Sequence, residues 1–373
     1  MRFHIPFAIA FASLIPAMGC AAAPANPDKL PFAIEEVGTF NEPWALEFLP
    51  DDKGLLITEK SGQLVWLPKR GQPPVIVAGT PKVSDGGQGG FGDVVLHPKF
   101  ADNGMVYLSW VEEGEGGSGA VVGRAKLVTD GRQARLEGLT TIWTQFPKVS
   151  GKGHFGHRIA FGPDGKLYIS SGERQKFTPA QDMAANLGKV VRLNDDGSVP
   201  ADNPFAAQGG VTAQIWAKGL RNPLGLAFDG DGRLWEVEMG PAHGDEVNLI
   251  KPGANYGYPL VSNGNHYDGR DIPDHSPGDG FAAPKVYWNP AISPGGMMIY
   301  KGSLFKNWTG DAFIAALGGE ALVRVDLSGE DAAKGNEWGM GQRIRDVDQA
   351  ADGSIWLIED GDKGRLLRLT PKN

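Results

Sequence analysis

The stretch Ile159-Ala-Phe-Gly-Pro-Asp-Gly-Lys-Leu-Tyr-Ile-Ser170 decides the fold. Two apolar runs flank Pro163-Asp164-Gly165, which reads as a strand, a tight turn and a second strand. Outward in both directions the same unit returns. It reads Trp44 to Thr58 and Asp93 to Leu108 on one side, and Gly225 to Val237 and Val347 to Ile358 on the other. A degenerate sixth copy joins Met298–Phe305 to Asp311–Ala315. The turn glycines fall at 54, 104, 165, 232, 310 and 353, in steps of 50, 61, 67, 78 and 43. One hairpin signal per step is the mark of repeated units joined by loops of unequal length. Six of them predict an all-β chain: a six-bladed β-propeller with four-stranded antiparallel blades, one domain over residues 30–370. A tandem of β-sandwiches leaves the single turn motif per unit unexplained.

Composition agrees, since 54 Gly and 27 Pro in 373 residues suit many short strands and tight turns. The net charge of −8 comes with no Lys/Arg cluster, which argues against nucleic acid and anionic membrane surfaces as partners. At the N-terminus, Met1-Arg-Phe-His4 is a short basic segment and Ile5–Gly19 an apolar run too short to span a bilayer. This predicts a secretory signal peptide over residues 1–23 and a periplasmic location. Ala17-Met-Gly-Cys20 also has the form of a lipoprotein box, so Cys20 offers a lipid attachment point without any membrane span. As Cys20 is the only cysteine, the mature body has no disulfide.

Polar residues punctuate the loops beside the repeats. Gly151-Lys-Gly-His-Phe-Gly-His-Arg158 presents His154, His157 and Arg158 directly before the central copy. Gln88 sits in the Gly-rich run Ser84–Gly92, and Arg221 and Asn222 stand side by side in Lys218–Gly225. Each is also consistent with a turn or with surface charge. The loop Glu238–Asn248 holds Asp245 and Glu246 among glycines, and carboxylate and carbonyl oxygens together are what Ca²⁺ prefers. The alternative there is a polar turn closed by Asp245. Arg343 and Arg345, two apart, face the same way if the chain is extended, and two like charges side by side favour an anion to answer them.

Together these motifs carry a resemblance. Gly87-Gln-Gly-Gly90, His154-Phe-Gly-x-Arg158, Gly219-Leu-Arg-Asn-Pro223, Gly240-Pro-x-x-Gly-Asp-Glu-x-Asn248, Asn255-Tyr-Gly-Tyr-Pro259 and Gln342-Arg-Ile-Arg-Asp-Val347 stand in family order. From about Pro31 to Arg368 the chain resembles the soluble quinoprotein sugar dehydrogenases of the glucose/sorbosone dehydrogenase family, in particular the bacterial periplasmic aldose sugar dehydrogenases. The resemblance implies a cofactor, pyrroloquinoline quinone (PQQ), and Ca²⁺. It implies that His154 is the catalytic base, that Arg221 stabilises charge developing on the quinone oxygen, and that Gln88, Arg221, Asn222, Arg343 and Arg345 contact PQQ. The carbonyls of Gly240 and Pro241 become ligands of Ca²⁺ beside the cofactor. Asp245, Glu246 and Tyr256 fall where relatives bind a second, structural Ca²⁺. The reaction implied is oxidation of an aldose at C1 to a lactone, by hydride transfer to the quinone C5.

Two departures stand out. Gly318 occupies the place of a cofactor-contacting lysine, and Gly153 that of an Asp found in some relatives beside the base. His157 stands where close relatives have Gly, so an accessory role is expected for it. Two other readings share parts of this pattern. A Ca²⁺-dependent propeller lactonase needs a carboxylate and Asn cage in place of three arginines, and an interaction propeller gives no reason for His154. The insertions at 173–215 and 252–297, rich in Gly, Pro and Asn, with Phe177, Tyr258, Tyr267 and Tyr287 as their bulky residues, predict an open substrate site of broad range across pentoses, hexoses and disaccharides. The electron acceptor is unknown from sequence, and monomer and homodimer are both open.

Overall fold

The structure is a computed structural model that describes residues 29–69 and 71–372. The signal peptide expected at 1–23 and the cysteine at 20 lie outside the described residues. Four four-stranded sheets are accompanied by one of eight strands, in which two four-stranded antiparallel units join through a short parallel pairing, Val77 and Ala78 against Ala134 and Arg135. That junction was not expected, and it covers two outer strand edges that would otherwise stand open.

The first strands of the six units are Pro43–Phe48, Phe91–Leu96, Gly156–Phe161, Pro223–Phe228, Pro294–Ile299 and Ile344–Gln349. Each touches the first strand of the next, and the last returns to the first, so they form a closed ring. We number the blades in this order. The six turn glycines all lie between a blade's first and second strands, and all have positive φ, from 66° at Gly104 to 96° at Gly310. That conformation strains any side chain, which is why the spacing of these glycines marks the blades.

Adjacent blades bury an apolar core between them, so the strands near the axis are covered on both faces and read as continuous hydrophobic runs. Leu55–Glu59, Leu167–Ser171 and Ile355–Glu359, second strands of blades 1, 3 and 6, are buried at every position. Trp44 and Leu56 meet Phe91 and Trp110 between blades 1 and 2, while Trp235 and Val247 meet Ile314 and Val323 between blades 4 and 5. The first and last blades meet through Leu46, Ile57, Trp356 and Ile358. Blade 6 is completed from the other end of the chain, with Phe32–Phe40 as its outermost strand, antiparallel to Gly364–Pro371.

One side chain ties the ring together at its axis. Arg158, on blade 3, is buried and holds Asp93 of blade 2 at 3.2 Å and Asp346 of blade 6 at 3.0 Å. It also donates to the carbonyls of Leu224 on blade 4 (2.9 Å) and Gly295 on blade 5 (2.5 Å), and its guanidinium carbon lies 4.1 Å from the ring centroid of Trp44 on blade 1. The residue read from sequence as a loop arginine beside His154 is therefore the hub of the fold.

Candidate active site on one face of the ring

The loops leading into the first strands and the turns between second and third strands open on one face. His154 precedes the first strand of blade 3, with φ +50°, a backbone conformation the neighbouring glycines help the loop reach. Its Nδ1 lies 2.5 Å from Oε1 of Glu173, a carboxylate just beyond the second strand of the same blade. The other Glu173 oxygen accepts from the main-chain N–H groups of Lys176 (2.5 Å) and Phe177 (2.6 Å). Burial raises the Glu173 pKa, but His154 and the Phe177 N–H outweigh it, and the carboxyl sits below its ordinary value. For His154, burial dominates and lowers the pKa despite Glu173, keeping the ring neutral and able to accept a proton.

The loop is fixed from behind. Gln88 Oε1 accepts the His154 N–H at 2.7 Å, so the side chain expected to contact a cofactor also clamps the His154 loop. Arg174, fully buried, donates to the carbonyls of Gly153 (2.9 Å), Gly151 (2.6 Å) and Ser118 (2.5 Å), joining this loop to blade 2. Gly153, bare where relatives carry Asp, packs against the side-chain amide of Gln175. His157 has other work. Its ring stacks on Trp44 at 5.0 Å and its Nδ1 meets Ser109 Oγ at 2.8 Å, and burial pushes its pKa down to about 3.

Arg221 and Asn222 are buried rather than set on the surface. Both main-chain N–H groups converge on Glu238 Oε2, at 2.5 and 3.0 Å. Arg221 Nη1 donates to the carbonyls of Met239 (2.8 Å) and Gly240. Two of their buried atoms, Arg221 Nε and Asn222 Oδ1, have no hydrogen-bond partner. Such atoms are costly unless something absent from the protein chain answers them.

Arg343 and Arg345 do face one way, but the anion that answers them here is internal. Asp360 Oδ2 accepts from Arg343 Nε at 2.8 Å, and Oδ1 from Arg345 Nε and Nη2 at 2.9 and 2.7 Å. Burial raises the Asp360 pKa and Arg345 and Arg343 pull it below the usual carboxylate value. The carboxylate lies beyond the next strand, outside the motif that carries the two arginines.

Two neighbouring cavities result. One, of about 290 Å³, is walled by Gln88, His157, Asn222, Arg343, Arg345 and Asp360, with Lys60 and Leu317 also on its wall. The other, of about 230 Å³, is walled by His154, Glu173, Arg221, Pro241, Tyr258 and Tyr267, with Phe177, His266, Asp268 and Arg270 at the insertions. The pairs His154–Phe155 and Arg221–Asn222 each contribute one residue to either side, so these two loops flank a common partition. Most of the second cavity's exposed wall is apolar, with Phe177, Pro241, Tyr258 and Tyr267 in its lining. Tyr287 belongs to neither; it lies exposed on the outer strand Val286–Trp288 of blade 4.

The proposed calcium residues divide. Carbonyl oxygens at Gly240 and Pro241 suit a hard cation, with Gly240 sharing its oxygen with Arg221. Asp245, Glu246 and Tyr256 do not bring their side chains to one point. Asp245 takes the N–H groups of Gly240 (2.9 Å) and Ser293 (2.6 Å). Glu246, the next residue of an extended strand, points to the opposite side, where its Oε1 meets Asn248 at 3.3 Å. The Tyr256 hydroxyl donates to Leu249 O (2.6 Å) and accepts from Lys251 N (2.9 Å). Among the described residues, no group of three or more His, Cys, Asp or Glu is arranged to hold a metal ion.

The chain is thus a ring of six blades with a histidine–carboxylate pair beside an arginine-walled cavity on one face. Residues 40–368 match the model of the Glucose / Sorbosone dehydrogenase family, and the chain belongs to that family. It is 38% identical over 341 residues to aldose sugar dehydrogenase YliI of Escherichia coli (strain K12), covering 89% of this chain and 91% of the relative. To quinoprotein glucose dehydrogenase B of Acinetobacter calcoaceticus it is 29% identical over 306 residues, 75% of this chain and 63% of that one. The apo form of the soluble Escherichia coli aldose sugar dehydrogenase superposes with a TM-score of 0.86 at 37% identity, over 91% of this chain and all of that one. The PQQ-bound aldose sugar dehydrogenase of Streptomyces coelicolor superposes at 0.75, with 29% identity, over 94% of this chain and all of that one. No helix among the described residues is long and apolar enough to cross a membrane.

Proposed function

We propose that the chain is a periplasmic quinoprotein dehydrogenase that oxidises aldoses at C1 to lactones, with PQQ and Ca²⁺ as cofactors and His154 as the base. The observation that carries the reading is the His154–Glu173 pair at 2.5 Å, opening on the same cavity as Arg221. The donor set suits the cofactors. Arg343 and Arg345 offer planar, bidentate partners for carboxylates, and the unpaired Arg221 Nε and Asn222 Oδ1 await a polar ligand. The carbonyls of Gly240 and Pro241 would hold Ca²⁺. When bound, PQQ with its Ca²⁺ supplies the electron sink and Lewis acid for removal of hydride from C1.

The chain's own residues do the rest. Neutral His154 takes the proton of the anomeric hydroxyl on Nε2, while Nδ1–H donates to Glu173, which fixes the tautomer and offsets the positive charge that forms on the ring. Arg221 places its guanidinium where negative charge builds during the transfer. Tyr258, His266, Asp268 and Arg270 border the sugar, and a wall that is mostly apolar, with few fixed polar partners, favours several aldoses over one.

The test is reconstitution. Purified protein stripped by a chelator should reduce a dye with an aldose only after PQQ and Ca²⁺ are added together, with Mg²⁺ a poor substitute because it demands tighter octahedral geometry. Dye reduction that needs neither addition, or none with both, refutes the reading.

A further inference from the structure

Resting on the PQQ reading, we infer that Lys60 is a cofactor-binding residue, supplying from blade 1 a cationic contact to a carboxylate of the quinone.

PQQ carries three carboxylates, so its cavity must present positive charge in excess. On one wall Arg343 and Arg345 share Asp360, leaving that trio a net single positive charge. Arg221 spends Nη1 on the Met239 and Gly240 carbonyls, which leaves Nε as its unpaired donor. Gly318 has no side chain to contribute, and only its neighbour Leu317 reaches the wall.

Lys60 adds a further cation to the cavity by position, beside Glu42, which lines the same cavity. It comes directly after the second strand of blade 1, Leu55–Glu59, as Asp360 does after that of blade 6, and it lines the same cavity as Gln88, Arg343 and Arg345. Its stem is laid across the backbone of Gly90: a Cβ there would stand 2.5 Å from Lys60 Cγ. Gly90 also has φ +116°, so the bare position that makes room for the lysine is doubly suited to glycine. The ammonium group meets Glu42 Oε1 at 3.5 Å, a long and half-exposed pair that is cheaply given up. Lys60 is thus held along the cavity wall with its charge only loosely answered.

The experiment measures PQQ affinity by quenching of tryptophan fluorescence, in Ca²⁺, at several salt concentrations, with no substrate present. Lys60→Ala should bind PQQ about tenfold more weakly with a shallower salt dependence, at an unchanged melting temperature. Lys60→Arg should restore most of the affinity, and Glu42→Gln should leave it equal or tighter. Lys60→Ala binding PQQ as tightly as the wild type overturns the inference while leaving the dehydrogenase reading intact. A wild type that binds no PQQ overturns both. Weaker binding by Lys60→Ala that Lys60→Arg does not recover, or that comes with a lowered melting temperature, also counts against a charge contact.

Discussion

Glu173→Gln tests the proton-transfer step most directly. The carboxylate sits 2.5 Å from His154 Nδ1 in a buried position, so the two charge centres lie within about 4 Å of each other once the ring is protonated. At an effective dielectric constant near 20 that attraction is worth about 4 kcal/mol, or about three orders of magnitude in rate. Nothing else nearby replaces it, since the charges that act on His154 besides Glu173 are the repulsive Arg221 and Arg174. Glutamine keeps the shape and the acceptors for Lys176 N and Phe177 N but removes the charge, and its amide can also impose the wrong imidazole tautomer. Stopped-flow reduction of PQQ-loaded enzyme should show a rate constant lower by about 10²- to 10⁴-fold, with PQQ affinity unchanged. The pH dependence adds a signed readout. Burial already holds the His154 pKa below 6.5, and loss of Glu173 lowers it further. The acidic limb of kcat/KM should therefore move to lower pH in the variant. A rate constant within threefold of wild type, or a limb displaced toward alkaline pH, refutes the pairing as a catalytic device.

His154→Ala should lower turnover by about 10²- to 10⁴-fold or more while sparing PQQ binding, whereas His157→Ala, removing a buried ring from Trp44 and Ser109, should show mainly as a lower melting temperature; the reverse order in a dye-reduction assay would reassign the base. Arg158→Met should destabilise the ring by about 3–5 kcal/mol in denaturant titration, because Asp93 and Asp346 lose their buried partner, and an unchanged midpoint would remove Arg158 as the hub. Across a panel of pentoses, hexoses and disaccharides, kcat/KM should vary by less than about a thousandfold; a larger preference for one sugar would mean that Asp268 and Arg270 at the cavity wall grip particular hydroxyls.

The blades were legible because each hairpin needs a turn residue with positive φ near the same point of its repeat, and Gly54, Gly104, Gly165, Gly232, Gly310 and Gly353 supply it. The site was legible only in part, and the part missed has a pattern. His154, Arg221, Asn222, Arg343 and Gln88 all stand ahead of a first strand, inside motifs that are polar against a Gly-rich background. Glu173, Asp360 and Lys60 stand just after a second strand, where an acidic or basic residue reads as the ordinary end of a hairpin. Because neighbouring strands of a blade run antiparallel, the turn after the second strand comes back to the face from which the first departed. The charged residues just beyond Ile169-Ser-Ser171, Leu357-Ile-Glu359 and Ile57-Thr-Glu59 are these three, so the strand ends themselves carried the missing signal. The role of Arg158 was hidden for another reason: its partners Asp93, Leu224, Gly295 and Asp346 come from four other blades, and meet only when the ring closes.

The way the last blade is sealed also sets which way the molecule points. Phe32 stands opposite Pro371, and Leu369 opposite Ile355, so this end of the sheet is the one remote from Asp360 and the cavities. Phe32 therefore joins the ring on the side away from the cavities. On the periplasmic reading proposed above, a lipid on Cys20 would attach only twelve residues ahead of Phe32, which sits on the face away from the cavities, so the site would stay open to sugars from solution. Reduced quinone would then have to hand its electrons to a carrier approaching from the solvent side, and a partner fixed in the same bilayer would need to reach around the rim of the ring.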